Sequence, residues 1–374
     1  MAFRVIKTVN SVKFYIRAIK VIYFCCEMFS SDLAGELTEH KSLFAKTLTA
    51  YSSLTHHING KLGGRKKFSY FSVSVPSSPE AAMDLVLNVA DHYVLTPYVY
   101  PESWAEDGAL RQIISLLVLT NLGAAILYLG LGAFSYYFIF DHNLMKHPHF
   151  LENQVQREIK YAMTSLPWIS IPTVALFFAE VRGYSKLYDN VSDSPLGWPG
   201  LFLSMISFLF FTDMCIYWIH RFLHHKLIYK MFHKPHHIWK ITTPFASHAF
   251  HPVDGFLQGL PYHIYPFLFP LHKLLYLALY VFVNIWTISI HDGDYRVPAG
   301  LTGVINGSAH HTDHHLFFDY NYGQYFTLWD RLGGSYRHPS ALMGKGPMEL
   351  VRKLQAEGKL GKQEVNGHAQ RKEE

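Results

Sequence analysis

Cysteine is nearly missing from this 374-residue chain, which has only Cys25, Cys26 and Cys215. Three cysteines so placed build neither a disulfide framework nor a thiolate metal site. Charge is scarce too: Asp, Glu, Lys and Arg make up 16% of the residues, against about 25% in ordinary soluble proteins. With 49% hydrophobic and 16% aromatic residues, the composition excludes a disordered chain, argues against a nucleic-acid binder, and points to a lipid bilayer. The chain contains no Gly-x-Gly-x-x-Gly dinucleotide loop, no Cys-x-x-Cys-His haem site and no His-Glu-x-x-His metalloprotease pattern.

The charge that exists is uneven. Residues 1–82 hold 11 Lys/Arg against 5 Asp/Glu, and residues 83–374 hold 22 against 23. The overall +5 therefore belongs to the first segment and says nothing about an acidic substrate. Residues 1–82 are expected to be an N-terminal extension, in part disordered, with no chemistry assigned to it. Gly63–Lys67 and Pro76–Glu80 read as linker, and at Met83 the pattern changes to Met-Asp-Leu-Val-Leu. A membrane-embedded domain is expected over 83–340 and a C-terminal tail over 341–374.

Four apolar stretches are candidates for crossing a bilayer, which takes about 20 apolar residues. Ile113–Phe140 is free of charge, and Ala162–Phe178 contains Pro167 and Pro172, so a short, kinked helix is expected there. Trp198–Ile219 carries one acid, Asp213, costly at that depth and therefore expected to be paired or functional. Leu260–Ile290 is broken by Pro266, Pro270, His272 and Lys273 and reads as a hairpin of two short limbs. The expected fold class is all-α, a multi-span helical membrane protein with a cytosol-facing, histidine-rich metal domain. If the hairpin returns to its starting side, residues 220–259 and everything after 291 share one face. The sequon at Asn190 then faces the opposite side, and the sequon at Asn306 goes unused.

Histidine is what the chain has in excess: 24 residues, 15 of them between His220 and His315. Three clusters stand out: His220, His224 and His225; His233, His236 and His237; and His311, His314 and His315, preceded by His310. The i, i+3 and i+4 spacings put imidazoles on one side of a helical turn. Packed histidines are costly to desolvate unless something coordinates them. Metal binding is therefore expected, with His291 as the best tenth ligand. Asp213, His248, His251, Asp254, Asp292, His310 and Asp313 are candidates to orient or compensate the ligands, and His248 and His251 are candidate occasional ligands as well. His263 and His272 are expected to be structural or substrate-side, and His142, His147 and His149 to be solvated. So many imidazoles suit two ions better than one. Imidazole accepts iron, copper, nickel and zinc alike, and the apolar setting favours redox attack on a C–H bond over hydrolysis.

These clusters resemble the fatty acid hydroxylase and sterol desaturase superfamily. The runs Ser247-His-Ala-Phe-His-Pro-Val-Asp-Gly-Phe256, Ile290-His-Asp-Gly-Asp-Tyr295 and Asn321-Tyr-Gly-Gln-Tyr-Phe-Thr-Leu-Trp-Asp330 are similar to its sterol C5-desaturase branch, from Met83 to about Ser340. The resemblance implies a di-iron centre held by the three clusters, facing the cytosol in the endoplasmic reticulum membrane. It also implies oxygen-dependent insertion of a Δ5 double bond into a Δ7-sterol, in cholesterol biosynthesis. Reducing equivalents would come from NADH through a reductase and cytochrome b5. Lys226, Lys230, Lys234 and Lys240, interleaved with the clusters, are candidates for a basic docking surface for an acidic carrier or for contact with membrane headgroups. By the longer first-box gap of hydroxylase relatives, His220 would pair with His225 and leave His224 in question. The ending Arg371-Lys-Glu-Glu374 resembles a dibasic retrieval signal. A sterol methyl oxidase or lipid hydroxylase would share every cluster. A zinc-dependent membrane hydrolase would need a carboxylate base, and a metal transporter would need histidines along a crossing path.

Overall fold

In a computed structural model, residues 85–194, 196–297 and 300–360 are described. The N-terminal extension and the terminal dibasic motif lie outside them. Three long helices are apolar enough to cross a bilayer by length and composition: α1 (Ala109–Phe138), α2 (Gln154–Val181) and α3 (Trp198–Leu223). At 1.5 Å per residue they are roughly 39 to 45 Å long, enough to span about 30 Å of hydrocarbon with tilt. Bulky aromatics mark both ends, as expected at membrane–water boundaries: Tyr137 and Phe138 at the end of α1, Tyr184 after α2 and Trp198 at the start of α3, all mostly exposed.

The second stretch is longer than its sequence suggests. Pro167 and Pro172 lie inside one continuous 28-residue α2. The hydroxyls of Ser170 and Thr173 donate back to the carbonyls of Leu166 and Ile169, so they leave no polar group facing lipid.

The predicted hairpin is present: α4 (Pro252–Leu268) and α5 (Lys273–Ser289). Its first limb starts eight residues before the apolar run, because Pro252 suits a first helical position and the His251 side chain caps the Val253 N–H. Two short strands locate the tip. β1 (Leu187–Tyr188), in the α2–α3 connection, pairs in parallel with β2 (Leu271–His272) at the turn. The hairpin therefore reaches from the end of α3 that carries His220 to the opposite end of the bundle and back, with each 17-residue limb about 26 Å long. These two strands are the small departure from an all-α chain. His272 caps α5 through Leu274 N, and His263 bonds the Tyr276 hydroxyl, so both serve the hairpin. Among the histidines expected to be solvated, His147 is instead buried, its Nδ1 accepting from His149 N.

The principal core lies between α3, α4 and α5, around Phe208, Tyr217, Tyr262, Tyr265, Leu279 and Tyr325. Asp213 explains how the later chain is held there. Its Oδ1 accepts the backbone N–H groups of Gln324, Tyr325 and Phe326 at 3.0, 2.6 and 3.4 Å. The acid deep in α3 thus ties down the loop that follows α6 (Ser308–Phe317). Asp313 does the same for the next segment, accepting from Ser340 N, Ser340 Oγ and Arg337 Nε.

Candidate metal centre

Four pieces of chain bring their imidazoles together where α3 ends. His220 lies in the last turn of α3 and His224 caps it. A π-helical turn, Tyr229–His233, leads into the short helix Lys234–His237; such wide turns occur frequently at functional sites. His291 follows α5, and α6 supplies His311, His314 and His315. The nine rings form two groups, His220, His224, His233, His237 and His314 in one, and His236, His291, His311 and His315 in the other, with ligand atoms in each group within 4.8 Å of one another.

Hydrogen bonding fixes the tautomers of four rings. His220 Nδ1 donates to the Tyr322 carbonyl at 3.0 Å, His314 to Tyr320 and His291 to Thr287, both at 2.7 Å. His233 Nδ1 donates to Asp254 Oδ2 at 2.7 Å. Carbonyls and carboxylates only accept, so in a neutral ring the proton sits on Nδ1 and Nε2 carries a bare lone pair. Yet Nε2 of His220 stands 3.1 Å from Nε2 of His233, and Nε2 of His291 stands 3.5 Å from that of His236, whose Nδ1 faces the Ala249 carbonyl at 3.4 Å. Lone pairs facing each other that closely repel unless a cation lies among them. Two nitrogens about 2.1 Å from one ion stand about 3.0 Å apart at a right angle and 3.4 Å at the tetrahedral angle. The spacings fit shared coordination, and five imidazoles in one group exceed the four of a tetrahedral zinc site, which suits iron.

Burial keeps the rings ready to bind. Desolvation first, then the neighbouring imidazoles, hold His236, His237, His311, His314 and His315 well below the usual histidine range. Burial brings His291 to about 4. A base whose folded pKa lies below its unfolded value of about 6.5 takes up protons mainly on unfolding. The metal-free protein is therefore expected to lose stability as pH falls from about 6.5 toward 4. Thermal unfolding of the iron-stripped protein across that range, showing a falling midpoint, is the measurement; a flat profile would contradict these pKa directions.

The loop after α6 is the scaffold of the site. Asp330 accepts the Tyr322 and Gly323 N–H groups, each at 2.8 Å, and so aims the carbonyl that orients His220. A Cβ on Gly323 would lie 2.6 Å from the Phe326 carbonyl and 3.0 Å from Asp330, so glycine is needed for close approach. Phe318 ends α6 with φ 66°, a strained conformation for a bulky residue, and its ring lies 5.2 Å from that of His237. Sequence reasoning missed Asp330 as an orienting group, although it closes the Asn-Tyr-Gly…Trp-Asp run.

Not every candidate converges. His225 lies outside both groups, half-buried, its Nδ1 3.4 Å from Leu227 N. It lies past the end of α3, where the chain has left the helix. The geometry thus places His224 in the cluster rather than His225, the reverse of the hydroxylase spacing. Of the proposed orienting residues, Asp254 alone contacts a ring of the cluster through its side chain. Asp213 and Asp313 anchor loops, His251 caps α4, and Asp292 bonds Ser135 and Asp294 N. His310 is buried beside Tyr336 with neither ring nitrogen hydrogen-bonded. His248 pairs with Asn284.

Comparison with known proteins agrees with this chemistry. The Fatty acid hydroxylase family matches residues 205–335. The chain is 71% identical to "Lathosterol oxidase" of Mus musculus over 272 residues, covering 73% of this chain and 91% of that protein. It is 68% identical to "Lathosterol oxidase" of Homo sapiens over 285 residues, 76% of this chain and 95% of that protein. A "Delta(7)-sterol 5(6)-desaturase" of Leptosphaeria maculans is 51% identical over 253 residues, 68% of this chain and 70% of that protein. No solved structure matches. Identity this high over most of such relatives, joined to a paired histidine cluster at the end of an apolar bundle, means that the chain belongs to the fatty acid hydroxylase and sterol desaturase superfamily.

Proposed function

We propose that this protein is an oxygen-dependent sterol C5-desaturase that introduces the Δ5 double bond into Δ7-sterols, turning lathosterol into 7-dehydrocholesterol. The observation that carries the reading is the two buried imidazole groups, within which Nε2 lone pairs face one another at 3.1 Å (His220 and His233) and 3.5 Å (His291 and His236). Their place at the end of apolar helices gives a membrane-dissolved substrate direct access. Identity with the animal lathosterol oxidases supports the substrate class. In this reading residues 83–340 are the catalytic domain.

Iron held by the two groups would supply O₂ activation, in which two hydrogens leave the sterol, two electrons come from an external donor, two protons come from solvent, and two waters form. The chain's own part is positional. His220, His224, His233, His237 and His314 would hold one ion, and His236, His291, His311 and His315 the other. The Tyr320, Tyr322 and Thr287 carbonyls and the Asp254 carboxylate keep the ring protons on Nδ1. The enclosing aromatics exclude water from a reaction whose outcome depends on substrate placement to about 1 Å. Electrons are assigned to NADH through a reductase and cytochrome b5. The exposed lysines Lys226, Lys230 and Lys234 beside the centre suit an acidic carrier. The proposed setting is the endoplasmic reticulum membrane, with the centre facing the cytosol.

Reconstitution into vesicles with iron, reduced cytochrome b5, O₂ and lathosterol is expected to give the conjugated Δ5,7-diene, read by its ultraviolet absorption and by product chromatography. Without O₂ or without iron no diene forms. Formation of a hydroxylated or demethylated sterol instead would assign the protein to another branch of the superfamily.

A further inference from the structure

We propose that Asn284, braced by His248, receives the 3β-hydroxyl of the sterol and so decides which carbons are presented to the histidine centre. This rests on the desaturase reading above. Asn284 is the single side-chain amide in the apolar helix α5. Polar side chains at bilayer depth are costly and are retained for function or pairing. Its Nδ2 donates to the Tyr280 carbonyl at 2.8 Å, and its Oδ1 faces His248 Nε2 at 3.2 Å.

Hydrogen-bond counting leaves Asn284 unfinished. Burial lowers His248 to about 4, so the neutral ring has one N–H; with the Ser247 hydroxyl, 3.0 Å away, turned to Nδ1, Nε2 gives that N–H to Asn284. The amide keeps one uncommitted N–H and a second lone pair on Oδ1, one donor and one acceptor. A hydroxyl, itself donor and acceptor, matches that pair. Asn284 and His248 are both half-buried, so a side remains open. The rings of Tyr128 and Phe250, 5.1 and 6.1 Å from that of His248, give the pair flat apolar walls.

Location supports the assignment. Asn284 lies seven residues before His291 along the same stretch of chain, and His248 is near enough to His291 for their charges to interact. In a Δ7-sterol a single carbon separates the hydroxyl-bearing C3 from C5, so the group that grips the hydroxyl must stand beside the oxidising centre. The pair formed by Asp292 and Ser135 at 3.4 Å is buried on both sides and closed to a ligand.

The test is a competition between lathosterol and its 3-deoxy analogue in vesicles, read as the ratio of kcat/KM. The wild-type protein is expected to favour lathosterol by at least about 10²-fold, since a site built to bond a hydroxyl rejects the analogue lacking it by up to 10⁴–10⁵-fold. Asn284→Leu should collapse that ratio to within about threefold, mainly by raising KM for lathosterol, while retaining wild-type iron content. Asn284→Gln should restore part of it. If Asn284→Leu does not accumulate, His248→Phe is read in the same competition. Discrimination that survives loss of the amide overturns the proposal, as does a wild-type protein indifferent to the hydroxyl; in both cases the desaturase reading stands. A wild-type protein that desaturates neither sterol overturns that reading itself.

Discussion

Replacing His314 or His236 with alanine is expected to abolish desaturation, each by removing one side of the metal pair. His314 belongs to the group of five, with Nε2 3.1 Å from that of His237. His236 belongs to the group of four, with Nε2 3.5 Å from that of His291. Both rings are inaccessible to solvent, so no water-exposed residue can move in as a substitute ligand. Groups that merely orient a ligand already command about 10- to 100-fold in metal affinity or activity, and losing the ligand itself should exceed that. Iron content should fall by one ion per chain in each variant, from different groups. His225→Ala is the control. Its ring lies outside both groups, so metal content and activity should stay close to wild type. Full turnover by either cluster variant would remove that residue from the proposed ligand set, and loss of iron in His225→Ala would place His225 back in it.

How much of this was legible in the sequence depended on whether the signal was local. Clustered histidines are local, and so is the hairpin, announced by Pro266, Pro270, His272 and Lys273 within eight residues. The choice between His224 and His225 was not local. It is decided by where α3 stops and how the π-helical turn at Tyr229–His233 redirects the chain, and neither leaves a mark in residue spacing. The depth of the hairpin was hidden for a related reason. It shows in the pairing of Leu187 with Leu271, two residues joined by backbone bonds that any side chains could make.

Carboxylates were the hardest to read. Asp213, Asp254, Asp292 and Asp313 looked alike as candidate orienting groups, since each stands near a histidine or an apolar run in sequence. Their roles diverge with what the fold presents to them. Asp213 meets three backbone N–H groups, Asp313 meets Ser340 and Arg337, and Asp254 meets an imidazole. Asp330, which does help to orient the His220 ring, acts through the backbone of Tyr322 and Gly323, a route invisible until the loop is folded. Asn284 was overlooked because a lone amide in an apolar run has no partner in sequence; the partner, His248, is 36 residues away.

Asp254 carries the second large expected effect, and it separates orientation from ligation. Its carboxylate is fully buried, accepting from His233 Nδ1 at 2.7 Å and from Gln258 Nε2 at 2.6 Å. A carboxylate behind an imidazole fixes the ring and raises its basicity, which strengthens the bond that Nε2 makes to a metal. Asp254→Asn keeps the shape but loses the charge and should weaken iron binding about 10- to 100-fold. Asp254→Ala should do worse, because it also leaves the buried His233 N–H without an acceptor, at about 1–3 kcal/mol. The deficit should fall on one ion alone: His233 stands in the group of five, whereas His236, His291, His311 and His315 have no contact with Asp254 through a side-chain hydrogen bond among the described residues. Chelator competition should therefore show one iron leaving early and one at the wild-type rate, and excess iron should recover part of the Asp254→Asn activity. Two irons leaving together at the wild-type rate would mean that the Asp254 carboxylate contributes packing to α4 and nothing to the metal.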